Sequence, residues 1–275
     1  MKIKKVFSYM GNKGKFYKEI KEIFEKSKKK KFVDLFAGGL EVPANLYIDV
    51  GADVFTNVKD TKMEYLIKLN EKNRVFTLFE KAVVEVYKNI PLSSTRNIYN
   101  TDKITFKKLK ENYLKLIENV TEEEREVLIL LGGVAGKSKS LSSNFYSEQK
   151  IKRLKEYLEV LKKLDIKTEF FNEKWQFSDS FIFLDPPYLL ETGAEGKKGF
   201  NYEGDWTEKD DVRLVNFIKS NLEKNNIFMI FGSLNNNLQH LIKENFPAVK
   251  FEIKKYKRSF FGCSSERAEW YCIIK

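Results

Sequence analysis

At 275 residues the chain is long enough for one large domain or two modest ones, each with a buried core. Hydrophobic residues make up 42% and charged residues 32%, which excludes collagen-like, disulfide-scaffold and wholly disordered classes. Fifty Lys and Arg against 39 Asp and Glu give a net charge of +11 and a pI near 9.3, a field that attracts polyanions, although an AT-rich genome also enriches Lys.

The opening residues, MKIKKVFSYMGNKGK, carry charge with no apolar stretch behind them, so they do not read as a signal peptide. The longest apolar run, around residues 127–134, falls short of the ~18 needed to span a bilayer. Two cysteines, Cys263 and Cys272, read as ordinary thiols in a reducing compartment, and a cytoplasmic location is expected. Phe16, Ile20, Ile23 and Phe24 predict a helix within residues 16–31. Residues 32–36 form a short apolar strand that ends at Ala37-Gly38-Gly39, followed by a helix start at 41–46. A second strand at 53–55 and a helix at 62–72 complete the opening of a doubly wound α/β domain.

From about residue 75 to 164 amphipathic helices dominate, at 105–119, 121–131 and 148–164. Thr121 with Glu124 three residues later reads as a capping box. Between the last two helices, residues 132–147 are rich in Gly, Ser and Lys and read as a loop. Strand–helix alternation then resumes. Strands are expected at 167–171, 181–184 and 227–231, helices at 210–223 and 238–245, and a closing antiparallel pair at 251–256 and 270–274. The chain thus reads as one catalytic α/β domain made of residues 1–75 and 165–275, with a mainly helical insertion at 76–164.

The sharpest chemical signal is Asp185-Pro186-Pro187-Tyr188 at the end of the 181–184 strand. Open α/β sheets bind ligands outside the carboxyl ends of their strands. Two consecutive prolines stiffen the turn and remove two N–H donors. An ionised Asp side chain is acceptor-only, so the turn offers acceptors and an aromatic face. That pattern suits a flat group bearing an NH₂, such as an exocyclic base amine. Asp34-Leu35-Phe36-Ala37-Gly38-Gly39, after the first strand, is a glycine turn that lets the backbone approach a ligand. Tyr9-Met10-Gly11-Asn12-Lys13 precedes the first helix.

Taken together and in this order, the Tyr9–Lys13 segment, the FVDLFAGGL stretch at 32–40 and the DPPY tetrapeptide resemble the Dam-type DNA adenine-N6 methyltransferases, in the form of their phage branch. Lys254-Lys255-Tyr256 and Glu269-Trp270-Tyr271 are similar to the last strands of that family. The resemblance implies an S-adenosylmethionine-dependent methyltransferase fold, S-adenosylmethionine as donor and adenine in double-stranded DNA as acceptor. On the same basis Tyr9 and Lys13 would hold the methionine end of the cofactor and Asp34 its ammonium. Phe36, Gly38 and Gly39 would line its site, with Asp185 bordering it. Asp185 and the Pro186 carbonyl would accept from the adenine amine, and Tyr188 would stack on the base, helped by Phe200 or Tyr202.

Family members carry an acid after the second strand for the cofactor ribose. Here Asn57 is followed by Val58, and Asp60 is the substitute on offer. The acid after the third strand is Glu173 or Asp179, with Lys174 between them. In the inserted loop, Lys137, Lys139 and Ser140 are candidates for phosphate contacts and Asn144 or Tyr146 for base contacts. Lys257 and Arg258, beside Lys255, form a second basic patch. One histidine, His240, and two cysteines give no His/Cys zinc set, so no metal is expected. The expected enzyme meets DNA as a monomer, with a dimer on DNA as the alternative. The rivals are a non-catalytic DNA-binding relative with a decayed cofactor pocket, and a methyltransferase acting on cytosine N4 or RNA.

Overall fold

The computed structural model describes residue 6 and residues 13–90, 103–133, 140–142, 145–187, 206–234, 236–260 and 263–275, the last two stretches without the side chains of 257–260 and 263–267. The chain divides into two compact units, one of residues 1–17, 38–51 and 58–169, the other of residues 18–37, 52–57 and 170–275.

The second unit holds the sheet. Strands β1 (Lys31–Asp34), β2 (Asp53–Asn57), β4 (Ser180–Leu184) and β5 (Ile227–Ser233) run parallel, in the order β2-β1-β4-β5. The antiparallel hairpin of β6 (Phe251–Phe260) and β7 (Cys263–Ile274) closes the edge, with β7 against β5. Every residue of β4 is buried, as a central strand covered on both faces requires. On one face, α1 (Tyr17–Ser27) sets Phe24 edge-on to Phe32 and Phe181. On the other, Val33, Ile182, Leu184, Phe228 and Ile230 share a core with Leu214, Phe217 and Ile218 of a helix spanning Glu208–Leu222 and with Leu238 and Ile242 of a helix spanning Asn237–Asn245. Alternate side chains of each strand therefore reach opposite layers, which is the doubly wound arrangement expected.

The first unit is helical: α2 (Glu41–Val50), α3 (Thr61–Glu71), α4 (Arg74–Val86), α5 (Lys103–Glu118), α6 (Glu122–Gly132) and α7 (Glu148–Leu161). The helices at Glu208–Leu222 and Asn237–Asn245 are thus α8 and α9. Helix α3 packs on α6 and α4 on α5. Thr121 and Glu124 form the expected capping box of α6. The short strand β3 (Asp165–Lys167) also lies in this unit, where Lys167 O accepts from Val58 N.

The strand expected at 167–171 lies earlier. Its apolar residues are used differently: Phe170 is exposed, and Phe171 sits in the core of the second unit against Phe36, Trp175 and Phe217. Aromatic packing outweighs strand propensity at that point. Among the described residues, no helix is long and apolar enough to cross a membrane.

Candidate active site

The strand order reverses between β1 and β4, because β1 continues to β2 on one side while β4 and β5 extend the other. Such a switch point opens a crevice outside the carboxyl ends of the strands. Two of the chemical motifs leave the sheet there. Asp34 ends β1 and is buried, and its register partner on β4 is Phe183, two residues before Asp185.

At the exit of β1, Asp34 Oδ1 accepts from Phe36 N at 3.1 Å, an Asx turn that bends the chain off the strand. The turn is tied to β2. Asn57 Nδ2 donates to Leu35 O at 3.3 Å, and Ala37 N donates to Asn57 O at 3.1 Å. Asn57 itself is buried, so these bonds are sheltered from water. The Phe36 ring meets Trp206 edge-on at 5.3 Å and Phe171 at 5.5 Å. Trp206 Nε1 donates to the buried Asp211 at 2.8 Å, and Asn237 Nδ2 donates to its other oxygen at 3.0 Å. Burial pushes the Asp211 carboxyl above the usual carboxylate range, against the pull of those two donors. This aromatic wall was not anticipated. Its only local signal is Trp206 just before the Thr207 cap of α8.

At the exit of β4, Asp185 and Pro187 are half-buried and Pro186 is buried. Neither proline has an N–H to offer, so the turn presents carbonyl and carboxylate oxygens.

The helical unit carries the remaining described candidates. Lys13 is buried in a single 3-10 turn, Lys13–Phe16. Its neighbour Gly14 lies against α2: a Cβ there would stand 2.5 Å from Glu41 Oε1. Gly38 has φ +49, the left-handed region a glycine takes without penalty. Gly39 O accepts from Tyr157 Oη at 3.0 Å, and burial raises the Tyr157 phenol well above its ordinary range. Asp60 caps α3, with Oδ1 accepting from Met63 N at 3.0 Å. Val58, where the resemblance leads one to expect an acid, is buried. Ser140 is half-buried, and Tyr146 packs edge-on against Tyr87 at 5.8 Å.

The two acids considered after the third strand are both engaged elsewhere. Glu173 pairs with Arg213 at 3.6 Å. Asp179 pairs with Lys29 at 2.7 Å and accepts from Asn225 at 2.8 Å, at the amino end of β4 and so the opposite end from the motifs. Tyr9, Lys137, Lys139, Asn144, Tyr188, Phe200 and Tyr202 lie outside the described residues, as do the side chains of Lys257 and Arg258.

A mainly parallel sheet covered on both faces, with an acid-ended β1 and a proline-stiffened acidic exit on the neighbouring strand, defines an α/β methyltransferase fold. The more particular assignment comes from comparison with known proteins. Residues 9–260 match the family described as D12 class N6 adenine-specific DNA methyltransferase, and the chain belongs to that family. It is 29% identical over 245 residues to the modification methylase StsI of Streptococcus sanguinis, covering 78% of this chain and 33% of the relative. It is 26% identical over 275 residues to the type II methyltransferase M.FokI of Planomicrobium okeanokoites, covering 92% of this chain and 38% of the relative. The chain thus covers between 33% and 38% of the length of these relatives. Membership of the family implies a methyl donor and a DNA substrate.

Proposed function

We propose that this chain transfers a methyl group from S-adenosylmethionine to the N6 amine of an adenine flipped out of duplex DNA, as a modification methylase. The observation that carries the reading is the Asp185-Pro186-Pro187 exit of β4 beside the Asp34 end of β1, in a chain of the D12 class. The donor supplies a methyl carbon already activated by its sulfonium charge.

The residues present fit that donor. Asp34 is a buried carboxylate at a strand end, suited to an ammonium, and the turn after it carries a left-handed glycine that lets a ligand approach the backbone. Tyr9 and Lys13 would hold its methionine end, Phe36, Gly38 and Gly39 would line its site, and Asp60 would stand for the missing acid near the ribose. On the acceptor side, the Asp185 carboxylate and the Pro186 carbonyl accept the two N–H bonds of N6. An aromatic amine is a poor nucleophile because its lone pair is delocalised into the ring. Two acceptors favour a pyramidal nitrogen whose lone pair is aimed at the methyl carbon. With the donor bound, the Asp185 carboxylate would take up the proton that N6 sheds on methylation. The work of the site is alignment and electrostatic support of the charge that develops on N6. Tyr188, with Phe200 or Tyr202, stacks on the extruded base and offsets its unstacking.

Residues 76–164 serve as the target-recognition region. Lys137, Lys139 and Ser140 would contact phosphates, Asn144 or Tyr146 would contact bases, and Lys257 and Arg258 would add a second basic contact.

Incubation with unmodified duplex DNA and methyl-labelled S-adenosylmethionine, followed by digestion to nucleosides, tests the reading. Label in N6-methyl-2′-deoxyadenosine is expected; label in N4-methyl-2′-deoxycytidine, or in no nucleoside, overturns it. Burial of the apolar Val58 favours one rival, a DNA-binding relative without turnover. No heat of binding at millimolar cofactor would support that rival.

A further inference from the structure

Resting on the cofactor reading above, we propose that Thr56 is a further cofactor-binding residue, its hydroxyl a second acceptor, beside Asp34, for the same ammonium group.

Thr56 and Asp34 are register partners across the parallel pair β1–β2. Their side chains leave the same face of the sheet. Phe55, next to Thr56, points to the opposite face, against Phe177 and Trp175. Phe32, two residues before Asp34, stacks on Phe181 in the layer beneath α1. Adjacent strands are ~4.8 Å apart, so two partner side chains can share one small cation. Both residues sit at the carboxyl ends of their strands, Asp34 last in β1 and Thr56 last but one in β2. Both are buried, with 2% and 0% of their surface exposed.

Thr56 Oγ1 is nonetheless without a hydrogen-bond partner among the described residues. A buried hydroxyl with no partner is costly, and valine would fill the same volume without that cost. Threonine at this position is explained by a polar group that arrives with a ligand. Asp34 already accepts from Phe36 N, and an alkylammonium carries three N–H donors, more than one carboxylate satisfies. A neutral acceptor on the neighbouring strand completes the set without adding charge.

Titration calorimetry on the whole chain tests this with two ligands, S-adenosylmethionine and 5′-methylthioadenosine, which lacks the amino-acid portion. Thr56→Val is expected to weaken S-adenosylmethionine by about tenfold, the loss of one hydrogen bond to a charged group. Its affinity for methylthioadenosine should stay within about twofold, and Thr56→Ser should restore S-adenosylmethionine binding. Unchanged S-adenosylmethionine affinity in Thr56→Val overturns the assignment and leaves Oγ1 serving the fold alone. An equal loss for both ligands overturns the ammonium contact. A parent chain that binds neither ligand overturns the cofactor reading, and this inference with it.

Discussion

Asp185 sits where local chemistry and sheet topology meet. Its strand is buried throughout, the two prolines after it remove competing donors, and the neighbouring strand ends in a second acid, Asp34. The two carboxylates are expected to divide the labour, one holding the donor and the other the acceptor. Asp185→Ala should therefore lower single-turnover methylation by at least about 100-fold while cofactor affinity stays within a few fold. Rapid-quench kinetics and calorimetry on the same variant check this, and equal rates in variant and parent would discard the assigned role. At this scale the sequence was informative wherever the chemistry is contiguous. DPPY and the glycine turn are read directly, whereas the Asx bond from Phe36 N to Asp34 is seen only in the structure. Thr56 was invisible, because its significance comes from lying opposite Asp34 across 22 residues of chain. Trp206 was missed for the same reason: its partners Phe36 and Phe171 come from other elements.

Helix ends carry most of the organisation of the helical unit. The cap of α6 by Thr121 and Glu124 is local and legible, and Ser147 caps α7 through its side chain. The role of Lys150, in the first turn of α7, is not legible. It is buried, its Nζ donates to Leu131 O at 2.5 Å, and the rings of Phe79 and Phe145 stand 5.4 and 5.6 Å away. It therefore ties α7 to the last turn of α6, where carbonyls without an intrahelical partner favour a cation. Burial pushes its pKa down from 10.5 to about 7. Below pH 7 it is protonated in both folded and unfolded states, and the burial cost is fully present. Between about 7 and 10.5 the unfolded chain binds more protons than the folded one, so folding gains stability as pH rises. The gain approaches ~1.4 kcal/mol per pH unit for one full proton. Urea unfolding of parent and Lys150→Met at about pH 7 and about pH 9 should show the parent gaining on the variant by roughly 1–3 kcal/mol. Parallel pH dependences would show that the amine does not titrate in that window.

On the scale of the whole molecule, charge supplies what no single contact does. A net charge of +11 on 275 residues favours a polyanion whatever its sequence, and the salt dependence of binding counts the phosphates engaged. Lys137→Ala combined with Lys139→Ala should lower the slope of log K against log salt by about one to two, read from DNA binding between ~50 and ~200 mM salt. An unchanged slope would place the DNA face elsewhere. The relatives StsI and M.FokI extend well beyond the length that this chain spans, so the comparison bears on the methyltransferase portion they share.

From its residues alone the chain declared an α/β class, the order of its main elements and the acidic proline turn. Each of these depends on hydrophobic periodicity or on groups adjacent along the backbone. Only the folded sheet set β4 beside β1, put the end of β2 next to Asp34, and sent Phe171 into the core instead of along a strand. Strand order and register arise from burial summed over distant segments, and no short stretch of chain encodes that sum.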